Sequence, residues 1–228
     1  MSKCFLFDIC NHRDCDKDFC MRKYKMDSLY TAALITDTQK QHITLRIDPD
    51  GTDLEQFKQL AEIEKNIESF ISEGKNLYLH SANCGNGKSS WSLRLAEAFL
   101  NKIWARSKDE CRVLFINVPR FLLALKDNIS SKNSYVDYIK ENVLNADLVI
   151  WDDIAAKMGS EFELTHLLSI IENRIALGKS NIYTSNLNRQ QLYSALGERL
   201  TSRIANVSID IELFGADKRF LKREGNLE

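Results

Sequence analysis

Proline and glycine are scarce in this chain, at two and nine residues in 228. Such a composition argues against a low-complexity linker or a disordered tail. Neither sign of charge dominates, because 31 basic residues face 32 acidic ones for a net charge of −1. No global basic field announces nucleic acid, so any such contact must be local. Long hydrophobic runs are missing too. Charged residues interrupt every apolar stretch well short of the ~20 residues that span a bilayer, so no membrane partner is expected. At the N-terminus, polar Asp8, Asn11, His12 and Arg13 break any secretion-signal pattern. A reducing cytoplasm is the expected setting. No internal repeat is visible, and the length suits one sizeable α/β domain with a small appendage.

Cysteine is present but unevenly placed. Four of the six fall between residues 4 and 20: Cys4, Cys10, Cys15 and Cys20, with His12 among them. In a cytoplasmic chain this cluster reads as a metal site before it reads as disulfides. Thiolates and imidazole in fours suit tetrahedral Zn²⁺. The four-Cys set is the first choice, and a set with His12 replacing one Cys is the second. Free thiols are the plain alternative, since the spacings are not the familiar two-residue knuckles. A module this short would draw much of its stability from the metal.

The strongest signal lies at residues 77–89. Apolar Leu77-Tyr78-Leu79 leads through Asn83, Cys84, Gly85, Asn86 and Gly87 to Lys88-Ser89-Ser90. Trp91, Leu95, Ala98, Phe99 and Ile103 follow at helical spacing. Strand, glycine-rich turn, then helix is the context a phosphate-binding loop needs. Gly85 and Gly87 let backbone amides approach an anion closely, and the helix beginning near Lys88 points its free N–H groups at it. Lys88 would reach the β- and γ-phosphates of ATP or ADP, and Ser89 would ligate Mg²⁺. Ala82 stands where the pattern G-x-x-x-x-G-K-[ST] has its first glycine. It should be tolerated if its φ is negative. Cys84 inside the loop reads as a small filler.

The rest of the chain alternates strands and helices, which predicts a parallel sheet with helices on both faces. Residues 1–25 form the Cys-rich module and 26–53 a linker, with a strand-like stretch at 43–47. Residues 54–228 form the α/β domain, opening on one helix from Leu54 to Ile71. Strands are expected at 113–116, 148–151, 181–184 and 207–213. Helical pieces are expected at 189–196 and 198–205. Asp152 and Asp153 follow directly on the apolar strand 148–151, where ligands of such sheets bind. Asp152 would hold Mg²⁺ through water, and Asp153 would orient or deprotonate an attacking water. Asn186, at the end of the fourth strand, could sense the γ-phosphate. Arg199 and Arg203 lie four apart on one helix face and could be offered to a neighbouring subunit. Arg219 could meet a nucleotide or DNA.

Taken together, Gly85-Asn86-Gly87-Lys88-Ser89, Trp151-Asp152-Asp153-Ile154, Thr184-Ser185-Asn186, Gly197-Glu198-Arg199 through Arg203 and the terminal Gly215-x-Asp217-x-Arg219 resemble an AAA+ ATPase. More narrowly they resemble the bacterial and phage helicase loaders of the DnaC/DnaI type. The resemblance implies a P-loop core with a five-stranded parallel sheet flanked by helices, without a lid domain. It also implies an N-terminal zinc module that contacts the helicase. The expected partners are a replicative DNA helicase, single-stranded DNA, and further copies of the chain in an ATP-dependent oligomer within a bacterial host cell. Arg120 and Lys126 lie where loaders carry an extra DNA-contacting helix. Asp153, shorter than the Glu of many AAA+ relatives, and Ala82 suggest slow turnover. A transposition helper of the IstB type, a non-catalytic zinc-containing adaptor and a small-molecule kinase are the rival readings.

Overall fold

The computed structural model describes residues 4–6, 10, 19–40, 51–108, 110–128, 131–156 and 160–218. The strand-like stretch expected at 43–47 lies outside them. In chain order the elements are α1 (Met21–Ala32), α2 (Leu54–Lys65), α3 (Ile67–Ser72), β1 (Asn76–His80), α4 (Lys88–Ile103), β2 (Val113–Asn117) and α5 (Val118–Asp127). Then follow α6 (Ser134–Asn142), β3 (Leu148–Asp152), α7 (Glu161–Ala176), β4 (Ser180–Ser185), α8 (Arg189–Ala205) and β5 (Ser208–Glu212).

The five strands form one sheet in the order β2-β3-β4-β1-β5, and every neighbouring pair is parallel. Alternation along each strand sorts side chains between two faces. Leu77, Leu79, Leu148 and Ile150 pack with α1 to α4 in one core. Tyr78, Val149, Trp151 and Tyr183 pack with α5 to α8 in the other. Covered on both sides, the central strands read as continuous apolar runs, as buried parallel strands do. Among the described residues no helix is long and apolar enough to cross a membrane.

Three details differ from the sequence expectations. The single helix from Leu54 to Ile71 is two, separated at Asn66 (φ −103°, ψ 27°). The Asn66 side chain donates to the carbonyl oxygen and Oε1 of Glu62, a local alternative to helix bonding. Next, the boundary expected at residue 25 falls inside α1, whose Met26, Leu29 and Tyr30 join Leu6 in the first core. The amide of Phe115 on edge strand β2 donates to the Ala33 carbonyl at 2.8 Å. Residues 21–40 therefore pack on the α/β body where a linker was expected to begin. Finally, Cys4, Cys10 and Cys20 are free thiols, and no group of three metal-ligating side chains forms among the described residues. The other two expected ligands, Cys15 and His12, lie outside the described residues. Beside Cys4, Leu6 is buried and Phe5 packs edge-on against Tyr30.

One buried cation ties α7 to the sheet. Arg174 is fully buried and donates to Asn181 Oδ1 at 2.8 Å, the Ala146 carbonyl at 2.9 Å and the Ser180 carbonyl at 2.6 Å, and also to the Val143 carbonyl. Burial pulls its pKa down to about 10, so the guanidinium stays charged at neutral pH. Its worth lies in satisfying carbonyls that water cannot reach. Arg174→Leu is expected to lower the unfolding free energy by about 3–5 kcal/mol in urea titrations. A loss below about 1 kcal/mol would mean that the network re-satisfies itself.

Candidate nucleotide site

The C-terminal ends of β1, β4 and β3 are adjacent in the sheet, so the loops leaving them share one rim. That rim is where open α/β sheets take ligands. The loop after β1 turns through positive φ at Gly85 (70°) and Gly87 (110°), and not at Ala82. The condition under which alanine is tolerated at position 82 is therefore met. Gly87 caps α4, and a Cβ there would meet nothing within 4 Å. Conformation rather than space calls for glycine at this point. The first amides of α4 then face the loop with the positive end of the helix dipole.

A cavity of about 310 Å³ opens here, lined by residues 84–90, Asp153 and Asn186. Its size suits a phosphate chain better than a whole nucleotide. Lys88 Nζ donates to the Asn83 carbonyl at 2.8 Å and to Asn86 Oδ1 at 3.3 Å, which poises the ammonium over the loop. Ser89 Oγ donates to Asp152 Oδ1 at 2.7 Å, and Thr184 Oγ1 donates to the same oxygen at 2.8 Å. A hydroxyl and a carboxylate in contact form the oxygen donor set a hard divalent cation takes. These residues therefore fit Mg²⁺. The Asp153 amide donates to Thr184 Oγ1 at 2.9 Å. Asp153 itself adopts φ 56°, an unusual conformation for a non-glycine residue. That turn puts its side chain at the cavity, opposite the loop.

Asn186 is set by its neighbours. Ser185 Oγ donates to the Ile154 carbonyl at 2.8 Å, which binds the ends of β3 and β4 together. Tyr78 Oη donates to the Leu187 carbonyl at 2.6 Å and fixes the loop after Asn186 from below. Burial pushes the Tyr78 phenol well above its usual range, so it remains a donor at all ordinary pH values.

Other predicted residues go elsewhere. Asn83 does not line the cavity; its Nδ2 donates outward to the carbonyls of Phe214 (2.9 Å) and Gly215 (3.2 Å). Cys84 is exposed at the cavity edge. Arg199 and Arg203 lie away from the cavity on α8, just past a break in the helix at Gly197 (φ 79°, ψ 168°). Both reach Glu172 of α7, at 3.3 and 3.1 Å, and both remain more than half exposed. Arg120 stacks over the Tyr135 ring at 4.7 Å, and Lys126 is exposed. Arg219 lies outside the described residues.

Two features escaped the sequence reading. Thr184 is the hydroxyl that links Asp152 to Asp153; its signal was a polar residue at the end of an apolar strand. The second is the segment after β5. The Lys218 amide donates to the Gly85 carbonyl at 2.9 Å, and Asp53 accepts from the amides of Phe214 and Gly215 at 2.7 and 2.9 Å.

No protein-family model matches the chain. The replicative helicase loader DnaC of Escherichia coli strain K12 is 28% identical over 143 residues, which is 63% of this chain and 52% of that protein. The chain thus spans about half the length of the curated relatives it matches. A crystal structure of the DnaC helicase loader superposes with a TM-score of 0.59 at 21% identity, covering 81% of this chain and 98% of the other. The replication initiator DnaA, in a structure bound to AMPPCP and single-stranded DNA, gives a TM-score of 0.54 at 20% identity, covering 71% and 46%. The fold is shared with these solved DnaC and DnaA structures, and the chain is similar in sequence to the replicative helicase loader DnaC.

Proposed function

We propose that the chain is an ATP-dependent loader that places a replicative helicase on single-stranded DNA. One observation carries this reading: Lys88, Ser89, Asp153 and Asn186 line one cavity, and Asp152 is bonded to Ser89 beside it, in a chain similar to helicase loaders. Lys88 and the first amides of α4 hold the phosphates of ATP and, after hydrolysis, of ADP. Ser89 and Asp152 hold the cation; Mg²⁺ when bound neutralises the phosphate oxygens and orients the terminal group. Asp153 accepts a hydrogen bond from the attacking water, and Asn186 fixes that water from the other side. Asp is one methylene shorter than Glu, so turnover is slow. Arg199 and Arg203, held outward by Glu172, reach the γ-phosphate bound to a neighbouring copy and stabilise its transition state. Arg219 contacts the nucleotide or DNA.

The helicase contact is assigned to the N-terminal end. Phe19 and Tyr24 are exposed, with ring centroids 6.0 Å apart, and Met21 beside them is exposed as well. Adjacent exposed aromatics suit a protein partner. Removing residues 1–25 would cut α1 and the buried Leu6, so substitution tests the contact more cleanly than deletion. In pull-downs with a replicative helicase, Phe19→Ser with Tyr24→Ser should abolish capture while ATP binding persists. Undiminished capture would move the contact elsewhere. The zinc reading of Cys4, Cys10, Cys15 and Cys20 rests on the sequence. Metal analysis of the full chain should give one zinc per chain, and none would dismiss it.

A further inference from the structure

We infer that Asp53 is a positioning residue for the nucleotide site, which it braces through the segment that follows β5. This inference rests on the nucleotide reading above. Asp53 is completely buried, yet it precedes α2, far from the cavity in sequence and outside its lining. A buried carboxylate is costly unless its oxygens are satisfied. Here each oxygen has a job: Oδ1 accepts from the Phe214 amide at 2.7 Å and Oδ2 from the Gly215 amide at 2.9 Å. Two charge-assisted bonds to consecutive amides fix the direction of the chain at that point.

The fixed segment grips the phosphate loop on its outer side. Leu213, at the start of the strap, accepts from Asn86 Nδ2 at 3.4 Å, and its own amide donates to the His80 carbonyl at 2.8 Å. The carbonyls of Phe214 and Gly215 accept from Asn83 Nδ2. At the far end the Lys218 amide donates to the Gly85 carbonyl at 2.9 Å. Along its length the strap therefore meets residues 86, 83 and 85.

The consequence follows from peptide geometry. In a planar trans peptide, the carbonyl of one residue and the amide of the next point in opposite directions. Holding the Gly85 carbonyl on the strap turns the Asn86 amide the other way, toward the cavity. An amide that must meet a phosphate needs its partner carbonyl satisfied outside. Asp53 touches neither phosphate nor cation. It acts by fixing the strap, and the strap fixes the amides.

The test uses the full chain and a fluorescent ATP analogue with Mg²⁺. Asp53→Asn keeps the shape but sets an amide N–H against a backbone N–H, and Asp53→Ala removes both acceptors. Each is expected to weaken nucleotide binding on the order of 10- to 100-fold, the range seen when the partners that orient a binding group are lost. The KM for ATP should rise in step, while kcat at saturating ATP stays within about twofold, because the reacting groups are untouched. Asn83→Ala, at an exposed position, should weaken binding at least about fivefold. Combined with Asp53→Asn it should add little, because both act through one strap. If the Asp53 variants do not fold, Asn83→Ala alone decides the matter. Unchanged affinity in folded variants, or full additivity of the pair, overturns the inference and leaves the nucleotide site standing. A wild-type chain that binds no nucleotide overturns the site itself and the brace with it.

Discussion

Lys88→Ala is expected to weaken ATP binding by at least about 100-fold and to reduce hydrolysis by roughly 10³. The Lys88 ammonium is nearly buried and held by the Asn83 carbonyl and Asn86 Oδ1. No rearrangement of the loop is needed before it can meet a phosphate, so its contribution is preorganised. The substitution removes a charge from among carbonyl oxygens rather than a packed apolar group. Thermal stability should therefore shift by no more than about 4 °C. Isothermal titration with Mg²⁺ and ATP, beside a thermal melt, separates the two effects. An affinity within about threefold of wild type would remove Lys88 from the site.

The second large effect concerns Arg199 and Arg203. Replacing both with Ala should reduce hydrolysis by about 10³ while leaving ATP binding within about twofold. Neither side chain lines the cavity of its own chain, and Glu172 holds both on the outer face of α7 and α8. On the reading proposed above, such a pair completes a neighbour's site. Mixing decides this directly. A Lys88→Ala chain keeps its arginines, and the double-arginine variant keeps its phosphate loop. Hydrolysis that reappears when the two are mixed, each inactive alone, is the expected result. Absence of rescue, or a loss of ATP affinity in the arginine variant, would place these residues in a structural role. Both arginines on one acceptor also predict that neither single Ala variant matches the double.

Much of this site was legible in the sequence because its parts are local. Gly85, Gly87 and Lys88 lie within four positions, and the apolar run into Asp152 announces both the strand and its functional end. Even the break in α8 was readable, because Gly197 separates two apolar helical patterns. What stayed hidden depends on contacts between distant positions. The placement of β5 beside β1, rather than beside β4, leaves no trace in the periodicity of 208–212. Asp53 looks like one more turn residue after Asp48 and Asp50, and its partners lie 161 and 162 positions away. Met26, Leu29 and Tyr30 stand at i, i+3 and i+4, a helical spacing, but so short a stripe did not say which core α1 docks on. In the Cys-rich head, likewise, nothing in the spacing announced that Leu6 and Phe5 pack with the core of the α/β body.

If, as proposed, ATP held at Lys88 drives the loading of a helicase, loading itself can be measured. The chain, a replicative helicase and a covalently closed single-stranded DNA circle carrying one annealed strand are combined with Mg²⁺ and ATP. A closed circle offers no free end for threading, so displacement of the strand reports a helicase placed by the loader. Displacement that requires the wild-type chain, and that fails with Lys88→Ala, is the predicted result. Equal displacement without the chain, or with Lys88→Ala in its place, would contradict the account.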